Sequence, residues 1–196
     1  MDLDIIKLDD IVLSIVKIDS FEIDESLFSG YRRKRLGELK TDLLKKQSCA
    51  AEYALICAMQ AYSNEILPPF EYFASEHGKP EFIEYKSIHF SLSHSGDYAV
   101  CAIGERPVGI DVEKKHDIIS GVVDKYYNPA EAKMDFTDVW TRKEAVVKAD
   151  GRGIAADLSQ IDVSADTAQC SEKKYHLYKI DAPEGYFISV ATLIDF

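Results

Sequence analysis

No run of about eighteen apolar residues occurs anywhere in this chain of 196, so no segment suits a membrane span. The four cysteines, Cys49, Cys57, Cys101 and Cys170, contain no Cys-x-x-Cys. Zinc-ligand spacing is therefore missing, and the scatter suits reduced thiols in a cytoplasmic setting better than a disulfide framework. The start, Met1-Asp2-Leu3-Asp4-Ile5-Ile6, has no basic residue ahead of its apolar ones, which is unlike a secretory signal. Positive charge is scarce as well. The 23 Lys and Arg face 34 Asp and Glu, a net charge of −11, which argues against a general nucleic-acid binder. No low-complexity tract or strong repeat is visible. With 46% hydrophobic residues, the length suits one large globular unit or two small ones.

The few cations are not evenly spread. Arg32, Arg33, Lys34, Arg35, Lys40, Lys45 and Lys46 put 7 of the 23 within fifteen positions, the pattern of a local anion site or of one solvated helix face. Ile11 to Ile18 is β-branched and bounded by Asp9-Asp10 and Asp19-Ser20, the signature of a strand. Asp42 to Tyr62 reads as a helix apolar almost all round in its second half, with Lys45 and Lys46 at its entrance. Phe70 to Phe73 reads as another strand, and His77-Gly78-Lys79-Pro80 as a turn carrying one cation. Ile88, Phe90 and Leu92 alternate with His89, Ser91 and Ser93, which predicts a half-buried strand running into a polar turn at His94-Ser95-Gly96. Tyr98 to Ile103 completes a hairpin. Gly104-Glu105-Arg106-Pro107 is the strongest break, dividing residues 1–104 from residues 105–196.

Beyond the break, Val108 to Val112 is strand-like, and period-two alternation puts Asp111 and Glu113 on one face. Two carboxylates side by side repel, so such a pair is expected to face either a cation or water. Asn128-Pro129 resembles a helix start. From about Asp138 a helix runs through Trp140 and stops at Gly151-Arg152-Gly153-Ile154. On it Trp140, Glu144, Val147 and Gly151 share a face, and Lys143 and Lys148 flank the acid. A surface ion pair between Glu144 and Lys148 is the plainest reading of that spacing. Ile161 to Val163, Tyr175 to Ile180 and Tyr186 to Leu193 read as three closing strands. Asp111, Glu113 and Glu144 offer hard oxygen ligands without His or Cys, a set suited to Mg²⁺ or Mn²⁺ and to substrate phosphates. The residues alone thus point to metal-assisted chemistry on a polyphosphate or pyrophosphate. A phosphotransferase, a pyrophosphatase and a non-catalytic binder all remain open at this point.

Gly109-Ile110-Asp111-Val112-Glu113 followed by Trp140-Thr141-Arg142-Lys143-Glu144 and Lys148-Ala149-Asp150-Gly151 resembles the paired signature of the 4′-phosphopantetheinyl transferases. The similarity is to their two-domain, surfactin-synthetase-activator branch. Gly78-Lys79-Pro80, Phe90 to Ser95 and Tyr126 to Glu131 match further motifs, so the resemblance runs from about Ile11 to Val190. It implies an α+β fold of two similar halves, each a small antiparallel sheet with a long helix, related by a pseudo-twofold. The activity implied is transfer of phosphopantetheine from coenzyme A to a serine of an acyl, peptidyl or polyketide carrier protein, serving secondary metabolite biosynthesis. A cytoplasmic monomer with no nucleic-acid or membrane partner is expected. By the same resemblance Asp111, Glu113 and Glu144 hold the metal, Glu144 and Lys148 act in catalysis, and Lys45, Lys46, Lys79, Pro80, Ser93, His94 and Lys143 contact coenzyme A. Arg152 stands where a lysine is usual, and Lys45 and Lys46 where an arginine is common.

Overall fold

Six consecutive residues, Ile11 to Val16, are buried in a single strand, which an alternating half-exposed strand cannot do. The reason is that both faces of the strand are covered. The computed structural model describes residues 3–19, 24–153 and 156–194; Met1, Asp2, Ser20 and Ile154 lie outside them. In chain order the first half holds β1 (Leu3–Leu8), β2 (Ile11–Lys17), α1 (Gly30–Glu38), α2 (Asp42–Tyr62), β3 (Tyr72–Ala74), β4 (Pro80–Phe82), β5 (His89–Ser95) and β6 (Tyr98–Gly104). The second holds β7 (Val108–Lys114), α3 (Ser120–Tyr126), α4 (Phe136–Asp150), β8 (Thr167–Cys170), β9 (Lys173–Ile180) and β10 (Tyr186–Leu193). Strands β1-β2-β6-β5 form one antiparallel sheet and β7-β10-β9-β8 another, with β3 and β4 pairing separately.

Side-chain alternation then sorts the strands into layers. Val16, Cys101 and Ile103 face α2 and pack with its Leu55 and Met59. Their neighbours Ile11, Leu13, Ile15, Val100 and Ala102 face the other way, onto Val108, Ile110, Val112, Ile188 and Val190 of the second sheet. The outer face of that sheet carries α4, whose Val139 and Val146 meet Tyr175 and Leu177. The order of layers is helix, sheet, sheet, helix. Each fully buried Val, Ile or Leu contributes about 1.5–3 kcal/mol relative to exposure, so the shared middle layer is a main source of cohesion. This is the α+β arrangement of two sheet-and-helix halves expected above.

The helices end where their chemistry says they should. Thr41 caps α2 through Leu44 N–H, and Asp135 caps α4 by accepting from Thr137 and Asp138 N–H. Gly151, at φ 85°, stops α4 in the left-handed region while its N–H bonds Val147, a conformation that glycine adopts without a Cβ penalty.

Four local readings need correction. The Asn128-Pro129 cap starts only a single 3-10 turn, Glu131–Lys133, because Asp135 outcompetes it as the start of α4. The third closing strand is Thr167–Cys170, whereas residues 161–163 form no strand; Ile161 and Val163 are apolar because they plug the core under α4. Strand β3 begins two residues later than its aromatic run, since Phe70 is already a core anchor. The edge strand β1 was not apparent, none of its six residues being buried.

Candidate active site

Strands β5 and β7 lie at the edges of different sheets, and serine hydroxyls bridge them. Ser91, Ser93 and Ser95 alternate along β5 and all turn toward β7. Ser91 Oγ accepts from Ile110 N–H at 3.1 Å, and Ser95 Oγ accepts from Lys114 N–H at 3.1 Å. These are backbone donors that an edge strand would otherwise leave open. Ser93 Oγ donates to Asp111 Oδ1 at 2.7 Å, and Ser95 Oγ donates to Glu113 Oε2 at 2.8 Å. The serines expected on a solvated face are thus half-buried or buried, because a second sheet covers them.

Helix α4 brings the third acid. Gly109 is the contact point: a Cβ there would overlap the Ala145 carbonyl oxygen and the Ala149 amide nitrogen. Its absence lets the helix backbone settle directly on β7. Glu144 and Lys148, one turn apart, then overhang the Asp111 end of the strand. Lys148 Nζ bonds Asp111 Oδ1 at 2.6 Å, so the surface pair with Glu144 suggested by spacing alone is not what forms. Asp111, Glu113, Glu144, Lys148, Ser93, His94, Trp140 and Arg32 line one cavity of about 480 Å³. Burial, then the Asp111 charge, pushes the Glu144 carboxyl up, only partly offset by Lys148. Glu113 is also raised, first by burial and then by Asp111, against the lowering bond from Ser95. His94 is lowered by crowding of its ring and then by the Lys148 and Arg32 cations, which favours neutral imidazole at physiological pH.

A larger cavity of about 900 Å³ adjoins this one and shares Arg32, Leu92, Glu144 and Lys148 with it. Its far wall carries Tyr31, Arg35, Lys79 and Pro80. Arg32 is buried and held by Glu52 Oε2 at 3.0 Å, Tyr72 Oη at 3.2 Å and Ser48 Oγ at 2.9 Å. Lys79 Nζ donates to the Ala149 carbonyl at 2.6 Å, at the C-terminal end of α4. Burial brings its ammonium down to about 8.

Eight of the expected site residues line these cavities together: Asp111, Glu113, Glu144, Lys148, Ser93, His94, Lys79 and Pro80. Three do not. Lys143 is fully buried on the opposite side of α4, where its Nζ pairs with Glu131 Oε1 at 2.9 Å and donates to the Leu158 and Ile161 carbonyls. One residue along a helix turns the side chain by about 100°, enough to take Lys143 away from the face that Glu144 presents. Lys45 is exposed, and Lys46 is bound to Asp19 at 2.8 Å on the surface. The members of the basic cluster that reach the cavity are Arg32 and Arg35, which share a helical face three residues apart. That spacing was the signal available in the sequence.

Whether the acids suit a cation is decided by their donor chemistry and by one atom. Asp111 Oδ2 is buried and has no hydrogen-bond partner among the described residues. A carboxyl oxygen so enclosed, beside two carboxyls whose charged form burial disfavours, suits a hard divalent cation. As they stand, no three His, Cys, Asp or Glu side chains among the described residues converge into a ready ligand group. Asp111 Oδ1 is turned to Ser93 and Lys148, and Glu113 to Ser95, so Glu113 and Glu144 would have to swing inward to share one ion.

Residues 107–191 match the model of the 4′-phosphopantetheinyl transferase superfamily. A 4′-phosphopantetheinyl transferase of Bacillus pumilus is 32% identical over 166 residues, covering 71% of this chain and 69% of that protein. Another, from Aneurinibacillus migulanus, is 29% identical over 136 residues, covering 61% and 56%. The chain thus spans little more than half of the latter. Of solved structures, a holo-(acyl-carrier-protein) synthase from Bacillus anthracis is 21% identical, covering 48% of this chain and 92% of that one at a TM-score of 0.39.

Proposed function

The chain belongs to the 4′-phosphopantetheinyl transferase superfamily, and from that premise we propose that it transfers the phosphopantetheine arm of coenzyme A to a carrier-protein serine. The serine oxygen would attack the phosphorus that bears the arm. The pyrophosphate P–O bond breaks, the serine proton leaves, and adenosine 3′,5′-bisphosphate departs. The observation that carries the reading is the pair of adjoining cavities, acids and Lys148 in one, arginines and Lys79 in the other. Together they match a ligand with a reactive pyrophosphate at one end and a phosphorylated nucleoside at the other.

Each residue has a physical task in this scheme. Arg32, already oriented by Glu52, Tyr72 and Ser48, presents a fixed guanidinium suited to phosphate oxygens. Arg35 adds a second, more exposed cation on the same wall, in the role first assigned to Lys45 and Lys46. The Gly78-Lys79-Pro80 turn would flank the nucleoside, and neutral His94 would donate a hydrogen bond without adding charge. Glu144, with its raised carboxyl, holds a proton more readily than a solvated glutamate and would accept the serine's. Lys148 would stabilise the charge growing on the departing phosphate. Mg²⁺ or Mn²⁺ would be held by Asp111, Glu113 and Glu144, and supplies Lewis-acid polarisation of pyrophosphate oxygens when bound.

For the carrier, the segment after the acidic pair is the best docking surface. Ile118 and Ile119 are 71% and 53% exposed, and no residue of α3 is buried, so this apolar stretch does not serve the core. The test is incubation with coenzyme A, Mg²⁺ and apo-carriers of the fatty-acid, polyketide and peptide kinds, read by intact mass. One carrier should gain the mass of a phosphopantetheine, and Asp111→Ala should lose that gain at least about 100-fold. Coenzyme A binding without mass gain on any carrier would overturn the reading, as would full activity of Asp111→Ala.

A further inference from the structure

Among the described residues two buried side-chain atoms have no hydrogen-bond partner, Asp111 Oδ2 and Ser189 Oγ. They are neighbours. Ser189 of β10 stands directly opposite Asp111 of β7 in the antiparallel ladder, which puts their Cβ atoms about 4.5–5.5 Å apart on the same face. That face lies under α4, because Gly109, two residues before Asp111, is the point where the helix backbone meets the strand. Asp111 is 3% exposed and Ser189 1%. The two atoms are also complementary: Oδ2 is an acceptor short of a donor, and the hydroxyl is a donor short of an acceptor. Leaving either unpaired in the interior is unfavourable, because the group has given up its water without a replacement. A strand position pressed under a helix ordinarily carries an apolar side chain, and on this face β10 has Ala191 opposite Gly109. A serine at 189 therefore needs a reason, and the polar group opposite it is Asp111.

We propose that Ser189 is a positioning residue whose hydroxyl holds Asp111 through Oδ2, directly after one side-chain rotation or through a single bound water. In doing so it orients the carboxylate for a divalent cation. The inference rests on the cation reading above. Oδ1 is already restrained by Ser93 at 2.7 Å and Lys148 at 2.6 Å, so a hold on Oδ2 fixes the remaining freedom of the carboxylate plane. Outer hydrogen bonds of this kind set the orientation of ligating carboxylates.

The test combines Mn²⁺ affinity, by electron paramagnetic resonance of the free ion, with thermal unfolding in EDTA. Ser189→Ala should weaken Mn²⁺ by about 10–100-fold, and Ser189→Thr, which keeps the hydroxyl, should restore most of it. At subsaturating metal the transfer rate of Ser189→Ala should fall, and excess metal should recover it with the carrier KM unchanged. In EDTA the effects of Ser189→Ala and Asp111→Ala on Tm should be non-additive, since each removes one side of the same interaction. Wild-type Mn²⁺ affinity in Ser189→Ala, together with a raised Tm additive to that of Asp111→Ala, would overturn the proposal by showing the hydroxyl to be an orphan whose loss helps the fold. If Asp111→Asn binds Mn²⁺ as tightly as wild type, the cation reading fails on its own. The cycle in EDTA then still decides the Ser189–Asp111 link: additive effects refute it, and a non-additive result upholds it.

Discussion

Glu144 sits where its own charge is unwelcome. Burial and the neighbouring Asp111 raise its carboxyl, so its folded-state pKa exceeds the unfolded value of about 4.3. The sign follows from linkage: a raised group contributes stability below the unfolded pKa and loses it as pH rises through the folded one. In EDTA, Glu144→Gln should therefore raise Tm at pH 7–8 and lose that gain as the pH falls toward 4. The cavity is open to solvent, which limits the gain to about 1 kcal/mol or less. Thermal unfolding from pH 4 to 8 reads it out, and a gain that is the same at both ends would mean that Glu144 is not electrostatically strained. At this scale the sequence was legible where periodicity decides the matter. Asp111 and Glu113 share a face, and Glu144 and Lys148 share a turn. It was misleading at Lys143, because adjacency in a charged motif says nothing about which side of the helix is buried. The positions of Glu131, twelve residues earlier, and of the Leu158 and Ile161 carbonyls reveal that Lys143 is structural.

Among the elements, α4 and α3 make opposite demands on glycine. Gly109 lets α4 rest on β7, so Gly109→Ala must push the helix off the sheet through backbone atoms that cannot yield. The expected cost is about 3 kcal/mol or more, a Tm drop of roughly 6–12 °C for a chain of this size, with activity falling as Glu144 shifts. Gly121, in exposed α3, has nothing within 4 Å of a built Cβ. There Gly121→Ala should stabilise by up to about 1 kcal/mol through helix propensity. Calorimetry on both variants checks the pair, and a harmless Gly109→Ala would contradict the close approach. The long elements were the most readable: α2 is found over the span its composition predicts, and the β5–β6 hairpin falls where alternation and Gly96 put it. Strand β1 and the 167–170 strand escaped because edge strands need little apolar surface. Residues 161–163 misled because a core plug and a short strand have the same composition.

The whole molecule carries a net charge of −11, which would repel at long range any carrier that is itself acidic, so the proposed recognition of such a partner would rest on a local patch. If Ile118 and Ile119 form that contact, Ile118→Asp should leave Tm and coenzyme A affinity unchanged, because Ile118 is 71% exposed. The same change should raise KM for the carrier about tenfold or more with little change in kcat. An unaltered KM would remove the docking role. At this scale the sequence said least. The cavities lie where β5 meets β7 and α4 overhangs β7, and that meeting depends on how two sheets stack, which no local pattern encodes.

The middle layer of the sandwich has a consequence for how the chain is made. Ile11, Leu13, Ile15, Val100 and Ala102 take much of their cover from strands that follow residue 107. A ribosome adding about 5–20 residues per second needs roughly 4–17 s to go from there to the end of β10, ~85 residues on. Through that interval the nascent first sheet shows a sticky inner face. The natural candidate for shielding it is a chaperone that holds exposed apolar surface until the second sheet emerges.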